Sequence, residues 1–148
     1  MKGQRAGGFL IAKIHQLGGR IFNKMLKDYQ IEINSAQGRI MFVLWQNEGI
    51  SIQELAKKTS LGKSTLTSML DRLENMEYIK RVPSKTDRRK ILIELIKKNR
   101  SLDNNFVKIS QKMNDLFYNG FTNNEIDTFE EYLSRIFSNL TEYITLLS

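Results

Sequence analysis

Residues 51–75 read SIQELAKKTSLGKSTLTSMLDRLEN, and two short helices with a break between them account for the pattern. Ser51 and Glu54 stand at the S-x-x-E spacing of a capping box, in which each side chain satisfies a free backbone N–H at a helix start. The helix they open, Ile52 to Lys58, spans barely two turns and faces Ile52, Leu55 and Ala56 inward. Thr59-Ser60-Leu61-Gly62 breaks the periodicity. A second helix runs from about Lys63 to Asn75, with Leu66, Met69, Leu70 and Leu73 as its apolar stripe. Its opposite face begins with Lys63, Ser64, Thr65, Thr67 and Ser68. Two short helices joined by a few residues that include glycine make a helix-turn-helix.

Downstream the apolar period changes from helical to two. Ile79 and Val82 flank Lys80-Arg81, Pro83 to Lys90 reads as a turn region, and Ile91, Ile93 and Leu95 alternate with Leu92, Glu94 and Ile96. This predicts a β-hairpin with a basic tip. Upstream, Leu10, Ile14, Leu17, Ile21 and Met25 recur at helical spacing between Phe9 and Tyr29. Asn34 or Ser35 caps a further helix, which carries Ile40, Val43 and Leu44 and ends at Asn47-Glu48-Gly49. The last third returns to helix. Leu102, Phe106, Ile109, Met113 and Leu116 form one stripe, ended by Asn119-Gly120. Thr122 and Glu125 make a second capping box ahead of Ile126, Phe129, Leu133, Ile136, Leu140, Ile144 and Leu147. The expected fold is mainly α with a small β-wing, a single domain over 1–148. Its winged helix-turn-helix covers about 34–98, with terminal helices at about 5–30 and 100–147.

Charge follows this division. The chain of 148 residues carries a net charge of +7. Residues 51–100 hold 13 Lys+Arg against 6 Asp+Glu, a surplus of +7, whereas residues 101–148 hold 3 against 7, a deficit of −4. A positive field confined to one segment suits a polyanion-binding surface, or else a solvated lysine-rich face.

Composition narrows the chemistry. Cysteine is absent and His15 is the only histidine, which excludes disulfides, thiol switches and multi-histidine metal sites. Apolar runs fall short of a membrane span, and the N-terminus lacks the apolar core and cleavage site of a signal peptide, so a cytoplasmic location is expected. The carboxylates are dispersed, no nucleophile has a base beside it, and Gly18-Gly19 lies inside a periodic helix rather than a phosphate loop. No catalytic residue, metal or cofactor is expected.

The middle segment has the chemistry of a DNA reader. A helix in the major groove needs small polar and basic groups near its N-terminal end, because the groove is only ~12 Å wide. Ser64, Thr65, Thr67 and Ser68 meet that need, and Lys63 adds charge where the helix dipole already favours a phosphate. Such residues are poor helix formers, so four in five positions would weaken an ordinary surface helix. In the hairpin tip, Lys85, Arg88, Arg89 and Lys90 can follow phosphates or enter a narrow minor groove. Asp87 is expected to pair with a neighbouring arginine and fix the turn.

Three segments resemble the signatures of the MarR-type (multiple antibiotic resistance regulator) winged-helix transcription factors. They are Ile52-Gln-Glu-Leu-Ala-Lys-Lys, Lys63-Ser-Thr-Leu-Thr-Ser-Met-Leu-Asp-Arg-Leu-Glu and Asp87-Arg-Arg. Their order and spacing match, and the resemblance covers essentially the whole chain. It implies a homodimer with interlocked terminal helices, recognition helices in major grooves and wings in adjacent minor grooves. It also implies, for many members, release of DNA when a small aromatic or anionic effector binds near the junction of the two regions. The chain departs from the pattern at Glu77 and Asn99, where the family has glycine, and at Ile96, where it has threonine. A left-handed cap at Glu77 costs ~1–2 kcal/mol, whereas Asn99 tolerates that region better than most residues.

The terminal stripes are more apolar than a thin winged helix needs. They are expected to meet in a two-fold interface to which Phe121, Phe129, Phe137 and Tyr143 contribute, which in turn predicts a pseudo-palindromic operator. His15 is the candidate effector contact, and Trp45 is expected in the core. The function read from the sequence is a double-stranded-DNA-binding regulator, a ligand-responsive repressor acting as a homodimer. The rival is a winged-helix adaptor for protein or RNA, against which stands the absence of exposed aromatics on the wing.

Overall fold

The computed structural model describes residues 3–47, 49–96 and 100–148. In chain order it contains α1 (Gly7–Asp28), α2 (Ser35–Gln46), β1 (Ile50–Ser51), α3 (Ile52–Thr59), α4 (Lys63–Asn75), β2 (Ile79–Pro83), β3 (Ile91–Leu95), α5 (Arg100–Phe117) and α6 (Asn123–Leu147). Two compact units divide the chain, Met1–Ile109 and Ser110–Ser148, with the boundary inside α5. Glu48, Asn99 and the expected domain edge at 98 lie outside the described residues, as does the side chain of Leu102.

The first unit holds the core. Leu26, Ile40, Met41, Leu44, Leu55, Leu66, Leu70, Leu73, Ile79, Ile93, Phe106 and Ile109 are all nearly or fully buried. Each such side chain contributes roughly 1.5–3 kcal/mol relative to exposure. They come from both strands of the hairpin and from every helix of the unit, so the hairpin and helix pair are fastened to one apolar centre. Helices α1 and α2 approach closely at Gly38, where a Cβ would lie 3.1 Å from the Phe22 ring.

Three strands form an antiparallel sheet in the order β1-β3-β2. The β2–β3 hairpin pairs Ile79 with Leu95 through to Pro83 with Ile91, and the Ile96 N–H donates to the Tyr78 carbonyl at 3.1 Å. Pro83 therefore closes a strand instead of opening the turn region. The two-residue β1 adds to the expected hairpin, since Ile50 and Ser51 are too few to show a period. Its presence also revises the first capping box. The Ser51 hydroxyl accepts from the Glu54 N–H at 3.2 Å, but Ser51 is the last residue of β1, in register with Leu92, and no return bond from Glu54 forms.

Elsewhere the caps decide the ends. Asn34, rather than Ser35, caps α2: its Oδ1 accepts from the Gln37 N–H at 2.9 Å while Gln37 Oε1 accepts from the Asn34 N–H at 3.0 Å. Helix α4 ends in a Schellman turn, with the Glu77 N–H donating to Glu74 and the Tyr78 N–H to Leu73. Glu77 takes the left-handed conformation that a glycine would take without strain, at φ 62°. The end of α1 repeats the turn with Gln30 at φ 58°, and Ser60 is left-handed after α3 at φ 57°.

Trp45 corrects an expectation. It is half-buried rather than fully in the core; its ring packs on Phe106 at a centroid distance of 4.7 Å, and its indole N–H donates to Asp103 at 2.9 Å. An indole must place its N–H against an acceptor, which favours the edge of a core.

The second unit comprises the end of α5 and all of α6, begun by the full Thr122–Glu125 capping box. Phe117, Tyr118, Phe121 and Phe129 cluster with centroid distances of 5.0–6.2 Å. The Tyr118 hydroxyl donates to Glu130 at 2.7 Å; burial, then that bond and the carboxylate charge, push its pKa up to about 12. No residue of α6 is buried. No helix among the described residues is long and apolar enough to cross a membrane.

Candidate nucleic-acid interface

Helix α4 has two chemically opposite faces. Leu66, Leu70 and Leu73 are wholly buried, which anchors the helix, and Lys63, Ser64, Thr65, Thr67 and Ser68 are all exposed. Gly62 is the N-cap and supplies no side-chain bond to the first turn, and no acidic residue stands there. The positive end of the helix dipole is thus left without an acidic side chain in its own first turn. The Thr67 hydroxyl donates to the Lys63 carbonyl at 2.9 Å, so its proton is used within the helix and its oxygen keeps acceptor capacity. Ser64, Thr65 and Ser68 border a depression of about 390 Å³, completed by Met69, Arg72, Asn34 and Gln37.

The hairpin tip is shaped by Ser84 and Asp87. Ser84 Oγ accepts from the Thr86 and Asp87 N–H groups at 3.3 and 3.2 Å, and Ser84 and Lys90 are joined by a backbone bond of 3.0 Å. Asp87 Oδ1 accepts from the Arg89 N–H at 3.0 Å and meets Arg89 Nε at 3.5 Å. Lys85, Arg88 and Lys90 are exposed and enter no ion pair with a described residue. One carboxylate therefore sets the turn while the tip stays strongly positive.

Sequence reading missed the residue that joins wing to helix. Arg81, on β2, donates from Nη2 to Asp71 at 2.8 Å and from Nη1 to Glu74 at 3.0 Å, and its own N–H reaches Glu74 at 3.3 Å. Asp71 and Glu74 are three apart and share a face of α4, but nothing in the sequence tells which cation they meet. This fork fixes the base of the wing to the C-terminal half of α4. Arg81→Ala is expected to lower stability by about 1 kcal/mol in urea unfolding and to speed proteolytic cutting within residues 84–90.

His15 is exposed on α1 and lines neither this depression nor the cleft at the far end of α1 around Lys24 and Lys27. Among the described residues, no group of three or more His, Asp or Glu could hold a metal ion.

A short helix pair, a polar outward face on its second helix and a basic hairpin held to that helix define a winged helix-turn-helix protein. The MarR family model matches residues 33–91. The regulator YsmB of Bacillus subtilis (strain 168), itself uncharacterised, is 30% identical over 128 residues, 86% of this chain and 83% of that protein. The regulator TtmR of Methylorubrum extorquens (strain PA1) is 33% identical over 84 residues, 57% of this chain but only 42% of TtmR's length. Among solved structures, a MarR mutant from E. coli complexed with operator DNA matches with a TM-score of 0.75 and 26% identity, covering 87% of this chain and 91% of that one. The chain belongs to the MarR family, a family of transcriptional regulators and not of enzymes.

Proposed function

We propose that this protein is a homodimeric, ligand-responsive repressor that acts in the cytoplasm on a pseudo-palindromic operator in double-stranded DNA. The carrying observation is the exposed Ser/Thr/Lys face at the start of a helix whose other face is sealed in the core. Ser64, Thr65, Thr67 and Ser68 read or approach base edges, and Lys63, Lys85, Arg88, Arg89 and Lys90 neutralise phosphates. Asp87 holds the wing turn in shape. The similarity to a MarR structure bound to operator DNA supports this arrangement.

The winged helix at about 34–98 binds DNA, and the helices at about 5–30 and 100–147 dimerise. Leu10, Ile14 and Leu17 on α1 are about half exposed, and Leu140, Tyr143, Ile144 and Leu147 on α6 are more so. Each unit thus has an apolar stripe that its own residues leave uncovered, and patches of this kind mark association surfaces.

Genomic-fragment selection with the purified protein tests the reading; a protein or RNA adaptor recovers no duplex. On a recovered duplex, Arg89→Ala is expected to flatten the plot of log K against log salt by about 1 unit for each phosphate no longer neutralised. A slope equal to that of the wild type removes Arg89 from the interface. The selection is then repeated with candidate aromatic acids to find the effector.

A further inference from the structure

A broad cleft of about 920 Å³ lies in the first unit between the end of α1, the turn into α2 and Arg72 of α4. It shares Asn34, Gln37 and Arg72 with the depression beside Ser64, Thr65 and Ser68, so the two adjoin. Lys24 and Lys27, three residues apart on one face of α1, join Arg72 as the cations of its lining. Glu32 is the single carboxylate in that lining; burial first, and then the Glu32 charge, push the Tyr78 hydroxyl pKa up, against a hydrogen bond to the Glu32 backbone that lowers it. Asp28 meets Lys24 at 3.8 Å across an exposed pair, an attachment of at most about 1 kcal/mol that a closer anion can displace.

The shape selects the kind of anion. A small ligand is held by enclosure, with most of its surface buried. Here Lys24, Lys27 and Arg72 are exposed along an open trough, and only its floor, Ile31 and Ile33 included, is buried. Several backbone amides around the start of α2 are already engaged. Gln37 and Asn34 satisfy each other's N–H, and Asn23 Oδ1 accepts the Ser35 N–H at 2.8 Å. What the trough offers is exposed positive charge, with Arg72 lining both it and the depression beside the base-reading face, which suits an extended polyanion.

We propose that Lys24, Lys27 and Arg72 bind backbone phosphates of the same duplex that α4 reads, extending the DNA footprint past the recognition helix. This rests on the DNA-binding reading above. It assigns to the end of α1 a role in affinity that is separate from dimerisation.

The test uses a duplex recovered by genomic-fragment selection, fluorescently labelled and titrated over a salt series. The variants are Lys24→Ala/Lys27→Ala together and Arg72→Gln alone, all exposed positions whose replacement leaves thermal unfolding nearly unchanged. The expected result is a salt slope smaller by about 0.9 for each phosphate released from the footprint, with base preference unaltered. Stepwise trimming of the duplex ends then weakens the wild type by more than it weakens the double variant, which keeps its wing contacts. A wild-type slope in both variants overturns the extension while the operator reading stands. The extension also falls if the slope is unchanged and calorimetry instead shows inorganic phosphate or benzoate binding that the double variant loses, which gives the cleft to a small anion. Recovery of no duplex by the wild type overturns both.

Discussion

If the protein is the proposed operator-binding homodimer, Ile144→Lys is expected to turn it into a monomer and to weaken operator binding by about 100- to 10,000-fold. Ile144 lies on α6 and is 67% exposed, beside Tyr143 and Leu147 that are similarly open. In a two-fold interface one substitution appears twice, so a lysine introduces two like charges into a surface that must lose its water. The weakening at the operator then comes from avidity rather than from the reading face itself, because two linked half-site readers bind far more tightly than one. Sedimentation measures the first effect and titration of a two-half-site duplex the second. A variant that stays dimeric places the interface elsewhere; one that becomes monomeric but keeps full affinity shows that a single winged helix suffices.

Leu66→Ala should cost about 2–5 kcal/mol, roughly 5–15 °C in the unfolding temperature, while Thr65→Ala next to it costs almost nothing. Leu66 is completely buried, and removal of its side chain leaves a cavity that the surrounding core can fill only in part. Thr65 is exposed and takes no part in the apolar face that holds the helix. Its replacement is expected to change sequence preference in a binding selection and to leave the salt slope alone, since a base-edge bond carries specificity and a phosphate bond carries charge. Thermal melts and selections on the two neighbours separate the structural face from the reading face. Equal stability losses at both would mean that α4 is packed on two sides.

The helix pair is legible in the sequence because strong local signals coincide there. Leu66, Leu70 and Leu73 fix the period of α4, Gly62 and Asn75 bracket it, and the observed bounds are Lys63–Asn75. Thr122 and Glu125 do the same for the start of α6. Features that depend on partners distant in sequence stay hidden. Strand β1 exists only because β3 pairs with it, and the Ser51–Glu54 box, whose first residue belongs to that strand, is incomplete. The Asn34–Gln37 box has a readable signal, N-x-x-Q ahead of an apolar run, which favours Asn34 over Ser35 as the cap once Gln37 is weighed. Arg81 gives no sign of its clamp, since its partners lie seven and ten residues away across a helix end. Of the candidate site, the polar face of α4 and the wing cations are visible as composition. The trough is not, because Lys24, Gln37 and Arg72 are joined only by folding.

The single tryptophan gives the molecule an optical reporter of its own. Because the indole N–H is held by Asp103 and the ring rests on Phe106, its emission colour and intensity register any shift between α2 and the start of α5. A red shift of that emission on adding a small compound is therefore the label-free sign expected when the compound loosens α2 from the start of α5 and exposes the indole to water.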